Sequence, residues 1–381
     1  MKVLVIGMVD SIHLGKWLGR FREEDICFDI YPSKAAWDFH PEITRLLAHK
    51  SIAKYRVLES LPNSRIKKLL LLVFEWRVGP LQKRRRVKTL KKIVDRTFYD
   101  YIHIHEFQGA GYLFLESQIS RDKYGKLIVT NWGSDIYFFE NDLIHKRRIE
   151  DLLKIADEYS AECERDYTLA TKLGFSGRSL PIVPTSFDLA SRSHFPDKLL
   201  GSHERNQLIV KCYGGTFGLG EYCIEVAANF LRTFPGTNVL LYSVSIDILP
   251  EALHLQREFP NRVEVWTNFE KHSHLDLCAK MSQSRIYIGF SLSDGYSTSF
   301  LEALLFEAFP IQSNTSCANE LLNLGCIGDV IEPKPAILWE RLSARWNEIE
   351  ELSFCTKHNS EWVKKNFAQD KLKLMLREYY V

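Results

Sequence analysis

The sequence has almost no net charge, no closely paired cysteines and no long hydrophobic run. Its 50 Lys and Arg nearly balance 48 Asp and Glu, so the net charge of +2 argues against nucleic-acid binding through overall charge. The eight cysteines form no C-x-x-C pair, which excludes a zinc framework or disulfide scaffold of that spacing and favours a reducing compartment. The longest apolar run, Leu69–Phe74, is too short to span a bilayer, and no signal peptide follows Met1. We therefore expect a cytoplasmic protein.

A glycine fingerprint for dinucleotides is missing as well. The apolar run Val3–Gly7 is followed by a loop and a predicted helix from about Leu14, which is the opening of a Rossmann-like domain. A nicotinamide-binding domain would carry G-x-G-x-x-G at this turn, where only Gly7 is present. This absence disfavours a nicotinamide oxidoreductase.

The stretch 284–316 organises the rest of the chain. It reads as an apolar strand (Ile286–Phe290), a small polar loop, a helix and a second strand. A hydroxyl from Ser297, Thr298 or Ser299 could cap this helix. The first amides and the partial positive charge of a helix N-terminus suit a phosphate.

Two acidic residues flank the same turn. Asp294 lies in the loop and Glu302 lies one turn into the helix, with seven residues between them. An amide cradle between two carboxylates suits a nucleotide sugar, with the amides on the diphosphate and the carboxylates on sugar and ribose hydroxyls. The alternative is an ordinary strand–helix unit that binds no ligand.

The string SDGYSTSFLEALLFEAFPIQSN carries a family resemblance. It resembles the signature of the retaining GT-B glycosyltransferases of the "group 1" class, in which Glu, seven residues and Glu precede an LEA-x-A-x-G-x-P helix. Asp294 stands in place of the first Glu. The residue pattern is similar to that of bacterial members of this class that build surface polysaccharides.

The resemblance implies an α/β protein of the GT-B fold, with two Rossmann-like domains whose parallel sheets face a central cleft. The implied reaction moves a sugar from a nucleotide diphosphate sugar to a glycan or lipid-linked acceptor with retention, without a metal or another cofactor. The implied domains are residues 1–190 on the acceptor side and 207–358 on the nucleotide-sugar side. Residues 191–206 are polar without an apolar period and are predicted to be a linker. A C-terminal helix, 359–381, is expected to pack back on the first domain.

The resemblance also implies the site residues. Predicted catalytic residues are Asp135, Lys211 and Asp294. Predicted nucleotide-sugar ligands are Gly214, Gly215, Gly295, Tyr296, Ser297, Thr298, Ser299 and Glu302. Predicted acceptor or cleft residues are His13, Lys16 and Trp132.

Besides Asp294, the sequence departs from the family pattern at Trp132, at Ser186 and in the number of basic residues beside the glycine-rich turn. Trp132 replaces the histidine of a T-x-H-G-S-D-like string, in which Asp135 matches the aspartate. Ser186 replaces the glycine of a P-N-G-x-D string. In the glycine-rich turn after the first strand of the second domain, Lys211 is the only base between residues 207 and 221, where the family has two. We expect Lys211 to neutralise the leaving diphosphate.

Residues 65–96 are strongly basic. This segment has twelve Lys and Arg and two acidic residues, a local net charge of +10, interleaved with Leu, Val, Phe and Trp. Such a pattern is typical of a helix that lies on an anionic membrane, so a peripheral position on the inner face of the cytoplasmic membrane is predicted. A solvated basic helix face with a buried apolar strip is the alternative.

Two further alternatives concern metal and function. His103 and His105 alternate along a predicted strand, where they could bind a metal, although core packing is the more common role of such a pair. The chain could also be a GT-B nucleotide-sugar epimerase or a non-catalytic membrane-associated component of a polysaccharide assembly complex.

Overall fold

The computed structural model describes residues 1–34, 38–48, 50–58, 82–270 and 272–381. The chain forms two compact units. The first unit contains Met1–Ser186 and Lys373–Val381, and the second contains Phe187–Leu372.

The first unit is built on a parallel sheet of seven strands in the order β3-β2-β1-β4-β5-β6-β7. The strands are β1 (Lys2–Gly7), β2 (Cys27–Pro32), β3 (Lys54–Val57), β4 (Tyr99–His105), β5 (Tyr124–Thr130), β6 (Glu158–Ser160) and β7 (Arg178–Ser179). The central strand β1 reads KVLVIG and is buried over its last five residues. Continuous runs of β-branched and aliphatic residues are typical of parallel sheets, because helices cover both faces of such a sheet and bury the side chains on each.

The helices of the first unit connect successive parallel strands, as parallel pairing requires. They are Ile12–Gly19, Pro41–Ala48, residues 82–96, Tyr112–Ser117, Leu143–Ile155 and Glu164–Lys172, with a π-helical turn at Phe107–Gly111. In the helix 82–96 the buried positions are Arg86, Leu90 and Val94, spaced by four residues, so this face packs on the sheet while the other bases are at least partly exposed.

The second unit has a parallel sheet of six strands in the order β10-β9-β8-β11-β12-β13. The strands are β8 (Gln207–Lys211), β9 (Asn238–Val244), β10 (Val263–Thr267), β11 (Ser284–Gly289), β12 (Phe309–Ser313) and β13 (Asp329–Ile331). Numbered within the unit, this order is 3-2-1-4-5-6, which is the doubly wound Rossmann arrangement.

The helices of the second unit complete this arrangement. They are Gly220–Thr233, Leu249–Glu258, His274–Gln283, Thr298–Leu305, Ala318–Asn323, Pro335–Asn347 and Ile349–Asn366, and a last helix, Gln369–Leu376, crosses the boundary between the units. The core lies between helices and sheet, where Phe230 packs edge-on against Trp346 with ring centroids 4.6 Å apart.

The segment 191–206, which was predicted to be a linker, is structured. It contains two 3₁₀ turns, Ala190–His194 and Ser202–Glu204, and it lies within the second unit. The buried guanidinium of Arg205 donates to the backbone oxygens of Phe306 (3.0 Å) and Glu307 (2.6 Å). Burial lowers the pKa of Arg205 to about 10. The polar composition of this segment reflects side chains that bond to backbone carbonyls, which sequence patterning cannot distinguish from solvation.

The extent of the C-terminal segment also differs from the prediction for residues 359–381. Helix Ile349–Asn366 lies in the second unit, and only residues 373–381 belong to the first. The hydroxyl of Tyr380 bonds Nδ1 of His103 at 2.6 Å, and the hydroxyl of Tyr379 bonds Ser160 Oγ at 2.6 Å. Thr130 Oγ1 bonds the other nitrogen of His103 at 2.6 Å, so this histidine belongs to a buried polar network.

Among the described residues, no helix combines the length and apolar character needed to cross a bilayer.

Candidate active site

The second unit brings several predicted residues to one edge of its sheet. The strand order reverses between β8 and β11, and ligands of doubly wound sheets bind outside the carboxyl ends of the strands at such a point. Lys211 is the last residue of β8, and Asp294 lies in the loop after β11. Their ammonium nitrogen and carboxylate oxygen Oδ2 are 3.2 Å apart.

The ion pair determines the charge state of Lys211. Each of the two side chains is 24% exposed. Burial alone would lower the pKa of Lys211, but the Asp294 carboxylate outweighs it and raises that pKa above its ordinary value. Lys211 is therefore a fixed cation at neutral pH. The other carboxylate oxygen of Asp294 accepts the amide of Gly295 at 3.0 Å, which orients the carboxylate toward the lysine.

The helix after this loop begins where the sequence predicted. Ser297 is the N-cap residue of helix Thr298–Leu305, but its hydroxyl makes no capping hydrogen bond. The Ser297 side chain therefore accepts no hydrogen bond from the backbone amides of the first turn, one of which belongs to Ser299. Before the helix, the buried Tyr296 donates its hydroxyl to Glu320 Oε2 at 2.9 Å, so Tyr296 anchors the loop.

Glu302 is buried and has a partner that the sequence analysis missed. Its Oε1 lies 2.5 Å from Nε2 of His274, at the start of the neighbouring helix His274–Gln283. That helix begins with a capping box in which Ser273 and Asp276 bond each other's backbone amides, and this box fixes the direction of His274. The S-x-x-D pattern is visible in the sequence, but the contact between the helices is not.

The glycine-rich turn after β8 is arranged differently from the prediction. The amide of Gly214 donates to Ser245 Oγ at 2.8 Å, and the amide of Gly215 donates to Asp247 Oδ2 at 2.7 Å. In this structure, these two amides are engaged by side chains of the loop after β9. Gly214 and Gly215 were predicted as phosphate ligands because a glycine turn exposes amides, but sequence spacing does not reveal acceptors from another loop.

The glycine turn nevertheless lies beside the Asp294 loop. Leu292 donates its amide to the carbonyl of Phe217 at 2.7 Å, and Gly218 pairs with Ser291. A Cβ at Gly218 would lie 1.9 Å from the carbonyl oxygen of Tyr213, so only glycine fits there. Backbone hydrogen bonds therefore join the glycine-rich loop after β8 to the loop after β11.

Aromatic rings lie at the end of β10 and in the turn that follows it. The rings of Trp266 and His272 stack with centroids 4.0 Å apart and an interplanar angle of 6°. The turn between them is closed by Glu270, whose carboxylate accepts the amide of Thr267 at 3.0 Å. Phe269 is 59% exposed in this turn.

The first unit brings two of its predicted acceptor residues together. The rings of His13 and Trp132 lie 5.4 Å apart, centroid to centroid. His13 is held by the start of helix Ile12–Gly19, where its amide donates to the N-cap Ser11. Lys16, on the same helix, is half-buried.

Asp135 is placed as a loop anchor. Its Oδ2 accepts the amides of Phe107 (3.1 Å) and Trp132 (2.9 Å), which joins the loops after β4 and β5. Burial, and then the nearby Glu106 carboxylate, raise the pKa of Asp135 well above its ordinary value. These contacts support a structural role for Asp135 and do not test the predicted catalytic one.

Glu106 is a further residue that the sequence analysis missed. Its φ of +74° with ψ of 148° is a conformation that costs a non-glycine residue about 1–3 kcal/mol. Its carboxylate accepts the amides of Gly109 and Ala110, which stabilises the π-helical turn. Burial raises the pKa of Glu106 despite these bonds.

Comparisons with known proteins agree with this architecture. Residues 59–158 match the family model described as glycosyl transferase 4-like. HepE from Anabaena, solved with UDP-glucose, is 15% identical, with 99% of this chain and 98% of that chain covered and a TM-score of 0.68. Sucrose-phosphate synthase from Thermosynechococcus elongatus is 15% identical, with 100% and 98% covered and a TM-score of 0.70.

A third similar structure is trehalose 6-phosphate synthase from Burkholderia multivorans, with 12% identity, 99% and 98% coverage and a TM-score of 0.66. The chain has the GT-B fold. The predicted resemblance to GT-B glycosyltransferases is confirmed by these matches. The match of residues 59–158 supports the prediction of a transferase. No curated protein sequence matches the chain significantly.

Proposed function

We propose that the chain transfers a sugar from a nucleotide diphosphate sugar to a glycan or lipid-linked acceptor. The observation that carries the proposal is the meeting of Lys211 and the Asp294 loop at the switch point of the second unit, beside the start of helix Thr298–Leu305. A fixed cation and the amides of a helix N-terminus are the groups that bind a diphosphate.

The same groups supply the chemistry. Negative charge grows on the diphosphate as the bond to the sugar breaks, and Lys211 with the first-turn amides stabilises that charge electrostatically. Asp294 holds Lys211 in place, and its carboxylate also lies where a donor sugar hydroxyl would bind. This mechanism assigns no task to a metal ion. The buried carboxylate of Glu302 binds the ribose hydroxyls, and His274 orients it.

The comparisons support the donor class. HepE was solved with UDP-glucose and with UDP. Trehalose-6-phosphate synthase, 10% identical with a TM-score of 0.68, was studied for glycosyl transfer with retention. We propose retention for this chain too, with His13 and Trp132 on the acceptor side and a role in surface polysaccharide synthesis.

A basic helix on the first unit supports the proposal of a lipid-linked acceptor. Residues 65–81 of the predicted basic segment lie outside the described residues, whereas residues 82–96 form a helix with eight basic residues and one acidic residue. Lys83 and Arg148 both pair with Glu116, which places this helix beside helix Leu143–Ile155.

Helix Leu143–Ile155 adds apolar side chains to the basic face. Leu143 and Ile144 are 75% and 74% exposed, and His145 separates them from Lys146 and Arg147. Exposed aliphatic residues beside bases are typical of interfacial binding, because the aliphatic chains enter the acyl boundary while the bases attract anionic headgroups. We propose peripheral binding to the cytoplasmic leaflet through this surface.

The donor proposal is tested by thermal shift with nucleoside diphosphates and their sugars, followed by a transfer assay with UDP-glucose as the first donor. A ligand at a hundred times its Kd stabilises the folded state by about 2.7 kcal/mol, which raises the Tm by about 5–10 °C for a domain of this size. Glu302→Ala should abolish this shift. Glu332→Ala, a change at a largely exposed carboxylate of the same unit, is the control.

The outcomes separate the candidate functions. Shifts that survive in Glu302→Ala would show that the site is misplaced. Binding without transfer to any acceptor would favour the non-catalytic component of an assembly complex. Release of free sugar and nucleotide without an acceptor would favour the epimerase relative.

A further inference from the structure

A histidine, a cysteine and a glutamate meet beside the proposed nucleotide site. His274 and Cys278 are four residues apart on helix His274–Gln283, so they lie on one face of it. Glu302 comes from the neighbouring helix Thr298–Leu305. The ligand atoms of all three residues lie within 4.8 Å of one another.

The distances suit a small metal ion with little rearrangement. Zinc binds imidazole nitrogen at about 2.0–2.1 Å and thiolate sulfur at about 2.3 Å, so two such ligands of one tetrahedral ion lie roughly 3.5 Å apart. His274 Nε2 and Cys278 Sγ are 3.8 Å apart. His274 Nε2 and Glu302 Oε1 are 2.5 Å apart, a hydrogen bond that an ion would replace after the carboxylate moves by less than about 1 Å.

The chemistry of the three groups selects the metal. A thiolate disfavours Mg²⁺ and Ca²⁺, which prefer oxygen ligands, and the combination of thiolate, imidazole and carboxylate suits Zn²⁺. Three protein ligands leave a fourth position for water. Cys278 and Glu302 are buried, whereas His274 is 26% exposed, so His274 is the side from which an ion enters.

We propose that His274, Cys278 and Glu302 form an inhibitory Zn²⁺ site. The ion would bind the Glu302 carboxylate, which the proposed function assigns to the ribose hydroxyls. Zn²⁺ and the nucleotide sugar would therefore compete for the same group. Binding releases the thiol proton of Cys278 to solvent, and the Nε2 proton of a neutral His274 moves to Nδ1 so that Nε2 can bind the ion. The competition rests on the proposed function, whereas the metal site itself does not.

The metal site is tested with Co²⁺ as a spectroscopic substitute for Zn²⁺ on the full chain. We expect one ion per chain, with tetrahedral absorption bands and a thiolate-to-cobalt charge-transfer band that Zn²⁺ removes. Cys278→Ser and His274→Asn should lose these bands. Cys223→Ser, which changes another buried cysteine of the same unit, should retain them. Circular dichroism of each variant verifies folding. A thiolate band that persists in Cys278→Ser, or its absence from the unchanged chain, would overturn the proposal.

The competition is tested with UDP as the probe, by thermal shift with and without Zn²⁺. In the unchanged chain, Zn²⁺ should weaken UDP binding by at least tenfold, and in Cys278→Ser it should have no such effect. Chelation of Zn²⁺ by UDP in solution is common to both proteins and cancels in this comparison. Cobalt ligation without any UDP binding would refute UDP as the nucleotide of the donor, and with it this competition, and leave the metal site standing. Equal loss of UDP binding in both proteins would refute inhibition through this site.

Discussion

Replacing Lys211 with methionine tests whether the cation at the end of β8 acts in the reaction. Met fills a similar volume but removes the charge that lies 3.2 Å from Asp294. Loss of one preorganised group that stabilises developing charge costs about 10²–10³ in kcat, or about 3–4 kcal/mol of transition-state stabilisation. Because the ion pair raises the pKa of Lys211, the lysine is charged throughout the neutral range and the loss should be independent of pH there.

The change also affects stability, and the structure limits that effect. Breaking a fully buried ion pair costs about 3–5 kcal/mol, and an exposed pair contributes about 0–1 kcal/mol. Both partners here are 24% exposed, so we expect a loss of about 1–2 kcal/mol. A second change, Asp294→Asn, removes the unpaired carboxylate and should recover part of this stability without restoring turnover.

The assay measures kcat of sugar transfer and the Tm of four proteins: unchanged, Lys211→Met, Asp294→Asn and the double variant. Lys211→Arg, which keeps the charge, is the conservative control and should retain more activity than Lys211→Met. Turnover of Lys211→Met within about threefold of the unchanged protein, or turnover restored by Asp294→Asn, would refute an electrostatic role for the lysine. The second result would show that Lys211 serves only to neutralise Asp294.

Three other predictions follow from named contacts. Burial lowers the pKa of His105 to about 3, so below about pH 6.5 the unfolded chain binds more protons than the folded chain, and the folded state loses stability as the pH is lowered. His105→Leu should therefore reduce the decrease in Tm between pH 7 and pH 5. An unchanged decrease in Tm would contradict this prediction. Gly218→Ala should lower the Tm and prevent nucleotide binding, because its Cβ would collide with a backbone carbonyl. Gly215→Ala, with φ of +69° and no neighbour near the new Cβ, should cost only about 1 kcal/mol of stability. Equal losses of Tm in the two variants would show that the collision at Gly218 does not determine the effect. Changing Leu143 and Ile144 to Ser should weaken flotation with phosphatidylserine vesicles while residual binding remains salt-sensitive, and unchanged flotation would remove these residues from the membrane surface.

Much of the fold could be predicted because its signals are local. Runs such as Val3–Gly7 and Ile286–Phe290 are apolar over the length of a buried parallel strand, and each precedes a loop and a helix. The start of the helix after Ser297 follows from small hydroxyl residues before an apolar stretch.

The structure adds contacts that the sequence could not reveal, because the hydrogen-bond partners come from distant parts of the chain. Gly214 and Gly215 were predicted to bind phosphate because of the glycine-rich turn in which they lie. In the structure, their amides donate hydrogen bonds to the side chains of Ser245 and Asp247. The segment 191–206 was taken for a linker, but carbonyls about a hundred residues away bind Arg205. Sequence spacing carries no information about acceptors on another loop.

The sequence by itself indicated the strand–loop–helix units that begin at Val3–Gly7 and Ile286–Phe290 and the helix start after the Asp294 loop, because propensity, capping and apolar patterning act over a few residues. Only the tertiary structure decided that Lys211 pairs with Asp294 and that His274 and Cys278 meet Glu302. Those encounters depend on which strands become neighbours when the sheet forms, and parallel pairing brings together residues that lie far apart in the chain.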